Sequence, residues 1–276
     1  MTLSGTFLWR KLRELRILAA HRRTAGICER LIARYEASPE QYALGPKKAF
    51  DSDRIIWQYW AQGYGNVPGV VRECLASVDR FAGGYSVIRL TDENLEEYLD
   101  IPGFVKEKRR LFSMAFFSDL LRLMLLHTYG GIWLDATVML TGPIPDEFAA
   151  QNFFVFRRDP GEPDYKYWRD TYAYYFGWAK GFRVNMLSSF MVAKKGCKTA
   201  SDLCGAMLKW WEECDYLPDY FFLQILYDVY DGEEKCPVVS DTLPHYLQQS
   251  MNDPGFSIMS REDIVEKIPI HKLTYK

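Results

Sequence analysis

The sequence lacks several features that would assign it to a class at once. It has no apolar run long enough to span a membrane, and no apolar leader with a cleavage site opens it. Its six cysteines form no Cys-x-x-Cys pair and show no histidine spacing typical of zinc. It contains no internal repeat, low-complexity tract or phosphate loop of the type G-x-x-x-x-G-K-[ST]. We therefore expect a cytoplasmic protein with reduced, buried cysteines.

The composition is that of a globular enzyme. The chain has 276 residues, of which 48% are hydrophobic and 25% charged, which suits one large domain with an appendage. The aromatic share of 16% is high, and many aromatic residues stand beside Gly, Asp or Gln. Such residues either stack on planar or sugar rings or fill the core.

The N-terminal segment, residues 1–45, is predicted to be a basic amphipathic helical extension. Residues 1–37 contain eight basic and three acidic residues. Apolar side chains lie at roughly helical spacing in the first half of this stretch: Phe7, Leu8, Trp9, Leu12, Leu15, Ile17 and Leu18. Such a helix either lies in the interface of an anionic membrane or packs on the domain with a solvated basic face. Both interpretations stay open, and we expect no nucleic-acid partner.

Residues 46–276 are predicted to form one α/β domain. Strands are expected at 54–60, 83–90 and 132–140, separated by helices, the strongest of which spans 112–130 and ends at two glycines. This alternation predicts a mostly parallel central sheet flanked by helices. The second half is less regular, with strands expected at 152–158 and 188–196 and helices at 200–214 and 218–232.

A single carboxylate interrupts the apolar strand GGIWLDATVML. A buried charge is costly unless it is paired or coordinated, so Asp135 is expected in a pocket. Because ligands bind beyond the carboxyl ends of parallel strands, Trp57, Gln58 and Trp60 of the first strand would line the same crevice. Asp119 and Arg122 share one face of the preceding helix. They form either a structural ion pair or a site for ribose and phosphate groups.

The block SDLLRLMLLHTYGGIWLDATVMLTGPIP, residues 118–145, resembles the DXD-containing glycosyltransferase sugar-binding family (family 32-like), in particular its capsular polysaccharide synthesis branch. RIIWQYW, residues 54–60, is similar to that family's first strand, and the ending HKLTYK resembles the branch's C-terminal motif. The resemblance implies a GT-A (Rossmann-like) fold, a nucleotide-sugar donor, and Mn²⁺ or Mg²⁺. We expect the nucleotide to be UDP.

The resemblance also implies roles for particular residues. Asp119 would bind the ribose or sugar of the donor, and Arg122 its sugar or phosphate side. Asp135 would bind the metal-bound diphosphate, and Trp57 with Gln58 would face the base. The family's second acidic position is Thr137 here, so the motif is Asp-Ala-Thr. A hydroxyl can bind a metal but contributes no charge.

The remaining candidates lie further along the chain. His271 is expected to complete the metal site, with Lys272 and Lys276 neutralising the leaving diphosphate. Asp219 either caps a helix or serves the acceptor as its base or orienting group. Asn185, Ser188 and Ser189 are weaker candidates for binding sugar hydroxyls.

The expected function is that of a bacterial, cytoplasmic glycosyltransferase at the inner face of the membrane. It would be a metal-dependent, retaining enzyme that transfers a hexose to a growing capsular or other surface glycan on a lipid-linked acceptor. The alternative is an inactive sugar-nucleotide or glycan-binding partner in a polysaccharide biosynthesis complex. Hydrolysis of the donor, measured with and without Mn²⁺, distinguishes the two.

Overall fold

The computed structural model describes residues 3–37, 42, 44–230 and 236–275, without the side chains of residues 3–7. Its strands are β1 Ile55–Tyr59, β2 Ser86–Leu90, β3 Gly131–Leu134, β4 Val138–Leu140, β5 Phe153–Arg157, β6 Met186–Ala193 and β7 Ile270–Lys272. Its α-helices are α1 Leu3–Ala37, α2 Gly69–Phe81, α3 Gly103–Lys108, α4 Met114–Tyr129, α5 Asp146–Ala149, α6 Tyr165–Thr171, α7 Lys198–Glu213, α8 Phe222–Val229, α9 Tyr246–Asn252 and α10 Arg261–Lys267. Two short 3₁₀ helices span Leu95–Glu97 and Leu243–His245.

The central sheet has the strand order β2-β1-β3-β6-β5. β1 pairs in parallel with β2 and β3, whereas β6 runs antiparallel to both of its neighbours. Four of the five strands therefore run in one direction. The predicted α/β architecture with a mainly parallel sheet is confirmed, and the carboxyl ends of β1 and β3 lie at the same edge.

The stretch predicted as one strand over 132–140 is two strands. β3 ends at Leu134, and the chain turns through Asp135, whose carbonyl accepts a hydrogen bond from the Val138 amide at 2.8 Å. β4 then leaves the central sheet and pairs with β7 near the C-terminus. Asp135 consequently lies in a turn at the end of a buried strand, where its carboxylate reaches a cavity.

The two glycines before β3 are required by both backbone conformation and space. Gly130 and Gly131 have φ values of 72° and 100°, which side chains rarely adopt. A Cβ on Gly130 would lie 2.5 Å from the Lys195 amide nitrogen, and one on Gly131 would lie 2.6 Å from the Ile55 carbonyl oxygen. The glycines let α4 end directly against the sheet, so that α4 and β3 deliver their side chains to one place.

The N-terminal segment is one long helix that packs on the domain from Ile17 onward. Ile17, Cys28 and Leu31 are buried, and α1 contacts α7 and α8. Leu8 and Leu15, in the first half, are 59% and 61% exposed. The Phe7 side chain lies outside the described residues. No helix in the described part of the chain has the length and apolar character needed to cross a membrane.

Candidate active site

A cavity of about 480 Å³ lies at the carboxyl ends of β1 and β3. Eight of the residues singled out from the sequence line it: Trp60, Asp119, Arg122, Asp135, Thr137, Ser188, Ser189 and Lys272. Trp60 follows β1 directly, Asp135 follows β3, and α4 supplies the Asp119–Arg122 pair. The predicted crevice at this sheet edge therefore exists.

Arg122 organises the floor of the cavity and is almost fully buried. Its Nη1 lies 3.0 Å from the Asp119 carboxylate and donates to the Ser188 carbonyl at 2.8 Å, and its Nη2 lies 3.3 Å from Asp135 Oδ1. Nε donates to the Ser118 carbonyl at 3.2 Å. The guanidinium is thus held by α4, β6 and the Asp135 turn. It acts as a positioning group for two carboxylates, so the ion pair between Asp119 and Arg122 is present, and their binding of ribose and phosphate groups stays a prediction.

The two carboxylates differ in their electrostatic surroundings. Burial raises the pKa of Asp119 to about 6, opposed by Arg122 and reinforced by the charge of Asp135. Burial also acts on Asp135, but Arg122 and Lys272 outweigh it, so its pKa lies below the usual value. The Trp133 indole donates to Asp135 Oδ1 at 2.8 Å. Asp135 is therefore an anion at neutral pH, whereas the pKa of Asp119 is raised to about 6.

Lys272 reaches the cavity because β7 pairs with β4. Val138 faces Lys272 in the register, and the Leu273 amide donates to the Thr137 carbonyl at 2.9 Å. The ammonium Nζ lies 3.4 Å from Asp135 Oδ2 and hydrogen-bonds Thr137 Oγ1. This cation therefore occupies the space between the two positions of the Asp-Ala-Thr motif. The predicted partner Lys276 lies outside the described residues.

Mn²⁺ or Mg²⁺ is usually held by one or two carboxylates together with substrate phosphates and waters. The Asp-Ala-Thr motif provides one carboxylate and one hydroxyl, and both contact the Lys272 ammonium. The described residues therefore form no complete Mn²⁺ or Mg²⁺ site while Lys272 occupies this position. No group of three His, Cys, Asp or Glu side chains in the described ranges could hold a metal. The positive charge at this position comes from Lys272.

Three further polar side chains line the cavity and each has a buried atom without a partner among the described residues: Ser189 Oγ, Gln224 Oε1 and His245 Nε2. Buried polar atoms are normally paired, so these atoms indicate a polar ligand. Burial lowers the pKa of His245 to about 3, with Lys272 and Arg158 adding to the effect, so its imidazole is neutral. Gln224 and His245 were not predicted from the sequence, because nothing in their local pattern distinguishes them from helix residues. Ser189 was only a weak candidate.

Trp57 and Gln58 do not reach the cavity, and the prediction that they face a nucleotide base is corrected. Trp57 is fully buried, and its indole donates to the Gly130 carbonyl at 2.9 Å. Gln58 points to the other side of β1, where its Oε1 accepts a hydrogen bond from Arg89 at 3.3 Å. Both lie inside β1, whereas Tyr59 at the end of the strand and Trp60 directly after it line the cavity.

His271 also lies in the core, so its predicted role as a metal ligand is corrected. Its side chain is fully buried, and Nε2 lies 3.1 Å from Thr141 Oγ1. Successive residues of a strand face opposite sides, so His271 points away from the cavity that Lys272 enters. Burial lowers the pKa of His271 to about 4.

The remaining candidates divide between the cavity and its surroundings. The Ser188 hydroxyl accepts from Gln224 at 3.0 Å within the cavity. Asn185 instead donates to Asp228 at 2.7 Å, away from it. Asp219 Oδ1 accepts from the Phe221 amide at 2.9 Å, and its carboxylate lines an adjoining groove and not the cavity itself. Its role toward an acceptor stays a prediction.

Comparison with known proteins assigns this chain to a family. The model of the capsular polysaccharide synthesis protein family matches residues 13–276, nearly the whole chain. The protein belongs to this family. The match begins inside α1, whereas the resemblance seen in the sequence begins near residue 54.

Two curated relatives match part of the chain. The O-glycosyltransferase PaGT of Phomopsis amygdali is 28% identical over 138 residues, covering 42% of this chain and 33% of the relative. The O-glycosyltransferase braB of Annulohypoxylon truncatum is 32% identical over 107 residues, covering 34% and 25%. This chain therefore spans a third or less of the relatives that it matches. Both relatives carry the name of the enzyme class that the sequence predicts.

One distantly similar solved structure is also named a glycosyltransferase. The PaToxG glycosyltransferase covers 92% of this chain and 95% of its own, at 13% identity and a TM-score of 0.37. A TM-score this low does not show that the two folds are the same.

Proposed function

We propose that this protein is a glycosyltransferase of the GT-A type that transfers a hexose from a UDP-sugar to a hydroxyl of a growing capsular or related surface glycan. The observation that carries this proposal is the cavity itself. It combines Asp119 and Asp135, a lysine ammonium and three polar atoms without partners at the carboxyl edge of a mainly parallel sheet. Membership of the capsular polysaccharide synthesis family supports it.

We assign the parts of such a donor to different regions of the cavity. Trp60, which is half-buried, meets the Tyr275 ring edge-on at 5.4 Å, and this aromatic corner suits the uracil base. Asp119, Ser189 and Gln224 offer acceptors and donors for sugar and ribose hydroxyls. Lys272 lies beside the turn at Asp135, where its ammonium suits the diphosphate.

The reaction follows from this arrangement. The bond between the sugar's anomeric carbon and the diphosphate oxygen breaks, and the bonding electrons pass to that oxygen. The positive charge of Lys272 stabilises the negative charge that develops there. The acceptor hydroxyl bonds to the anomeric carbon and its proton passes to the leaving diphosphate. This route retains the configuration and requires no general base, in line with the absence of an unpaired carboxylate among the described residues that line the cavity.

Thermal unfolding in the presence of a series of nucleotide sugars tests the proposal. A ligand that binds only the folded state raises the melting temperature by mass action. We expect one UDP-sugar to raise it, and to do so equally in the presence of a chelator. If no nucleotide or nucleotide sugar changes the melting temperature, the proposal is refuted.

Product formation distinguishes the proposed enzyme from the alternative, an inactive binding partner. An inactive partner would be stabilised by the donor but would release no UDP. An enzyme releases UDP slowly by hydrolysis even without an acceptor.

A further inference from the structure

A second and larger cavity, of about 770 Å³, adjoins the candidate active site, and Tyr220 and Phe221 line both. We call it the α1 groove. The first half of α1 forms one wall with Trp9, Arg10, Leu12, Arg13, Arg16, Ile17, Ala20 and His21, and Tyr174 with Asp219 lines the rest. A molecule in this groove would have direct access to the cavity proposed for the donor.

Among the described residues, the α1 groove is lined by more arginine than carboxylate side chains. Arg10 is paired with Asp170 at 3.1 Å. Arg13 and Arg16, one helical turn apart on α1, have no carboxylate partner in the described part of the chain. Guanidinium groups bind phosphate through two parallel hydrogen bonds. Two unpaired arginines on one wall therefore indicate an anionic occupant.

The same wall also carries apolar side chains. Trp9 is 63% exposed within the groove, and Leu12 lies one turn further along the helix. Leu8 and Leu15 continue an exposed apolar strip beside it. A free sugar phosphate would leave this apolar surface unused, whereas a hydrocarbon chain would cover it. The groove thus suits a molecule that joins a phosphate to a long apolar chain.

We propose that the α1 groove binds the lipid phosphate portion of a lipid-linked acceptor, an inference that depends on the proposed glycosyltransferase function. Arg13 and Arg16 bind the phosphate, and Trp9 with the leucines contacts the hydrocarbon chain. The glycan end of the acceptor extends past Tyr220 into the active-site cavity. Asp219, next to Tyr220 in the chain, also lines the groove, and its Oδ1 accepts from the Phe221 amide.

Farnesyl phosphate, a short prenyl phosphate, is the probe, and calorimetry at a concentration below its micelle threshold measures its binding. We compare the wild-type protein, the Arg13→Glu/Arg16→Glu variant and an Arg22→Glu/Arg23→Glu control. The control makes the same charge change on the same helix, at exposed arginines outside the groove. We expect the groove variant to bind at least about tenfold more weakly and the control to bind like wild type.

Further measurements test the hydrocarbon and the phosphate parts of the ligand, and the groove itself. Farnesol and inorganic phosphate should each bind far more weakly than farnesyl phosphate. Ala20→Trp, which fills the groove without changing charge, should also weaken binding, so the result does not depend on one variant. Equal binding by wild type and the groove variant, or no binding by wild type, overturns the proposal.

The donor assay separates this proposal from the one on which it depends. UDP release in the absence of an acceptor should be the same in wild type and the groove variant. If the wild-type protein releases UDP but does not bind farnesyl phosphate, only the groove assignment fails. If it releases none, the proposed function itself fails.

Discussion

At the scale of single residues, the ionisation of Asp119 is expected to make the affinity for the sugar donor depend on pH. Burial raises its pKa to about 6, so the carboxylate is ionised above this pH and protonated below it. A protonated Asp119 has no charge, so it accepts hydrogen bonds from the hydroxyls of the sugar donor more weakly. We expect donor affinity to fall as the pH drops through about 6.

Asp119→Asn provides the comparison. Donor affinity, measured by calorimetry from pH 5 to 8, should be lower for Asp119→Asn and should no longer change across this range. A wild-type affinity that does not vary with pH would show that Asp119 does not contact the donor.

The second prediction for a single residue concerns Lys272, because its ammonium supplies the positive charge that a metal ion would otherwise provide. Lys272→Met should lower the rate of UDP release by about 100-fold, since the leaving diphosphate loses its cation. Lys272→Arg, which keeps the charge, should lose less. A chelator should leave the wild-type rate unchanged.

The opposite result has a clear meaning. If a chelator abolishes UDP release and Mn²⁺ restores it, a divalent metal and not Lys272 alone carries the charge. The metal dependence expected from the family resemblance would then be correct.

At the scale of elements, the position of a tryptophan relative to the end of β1 decides its role. Trp57 lies inside the strand among Phe50, Tyr98 and Tyr129, whereas Trp60 follows the strand and lines the cavity. Trp60→Ala should raise the donor KM with little change in stability, since ring stacking exists in the ground and transition states alike.

Trp57→Ala is the matched comparison. It should lower the free energy of unfolding by about 3–5 kcal/mol, because it leaves a cavity in the core. Denaturant unfolding and donor KM are measured for both variants. If the Trp57 variant is as stable as wild type but has a raised donor KM, the assignment of the two tryptophans is reversed.

The elements also show what the sequence could and could not predict. Ser-Asp-x-x-Arg, the two glycines and Asp135 are close in the chain, so the helix–strand unit that carries them was predictable from local patterns. The β4–β7 pairing joins residues more than a hundred positions apart, and it alone places Lys272 beside Thr137. His271 and Lys272 differ by one position, but strand alternation sends them to opposite faces. That choice of face depends on the register and could not be predicted from the sequence.

At the scale of the whole molecule, α1 is both part of the core and an exposed surface. Deleting residues 1–37 would therefore unfold the domain, because Ile17, Cys28 and Leu31 are buried. Membrane contact stays a prediction from the sequence. Testing it requires substitutions confined to the exposed apolar strip of α1. Leu8→Ser/Leu15→Ser should reduce binding to anionic liposomes without lowering the melting temperature.

Vesicle sedimentation measures this binding, and Val238→Ser is the control. Val238 is also exposed and apolar but lies far from α1 in the chain. Liposome binding that is equal in the Leu8/Leu15 variant and wild type would show that the helix serves only the domain and its groove.

The measurement that tests the account most directly is UDP release by the Asp135→Asn variant. Asp135 lies at the junction of α4, β3 and β7 and contacts both Arg122 and Lys272. Asp228→Asn, which removes a carboxylate paired with Arg183 outside the cavity, is the control. With melting temperatures confirming that both variants are folded, the account predicts that Asp135→Asn releases UDP at least about 100-fold more slowly than wild type. Asp228→Asn should be nearly unaffected. A folded Asp135→Asn variant with the wild-type rate would contradict the claim that this cavity is the active site.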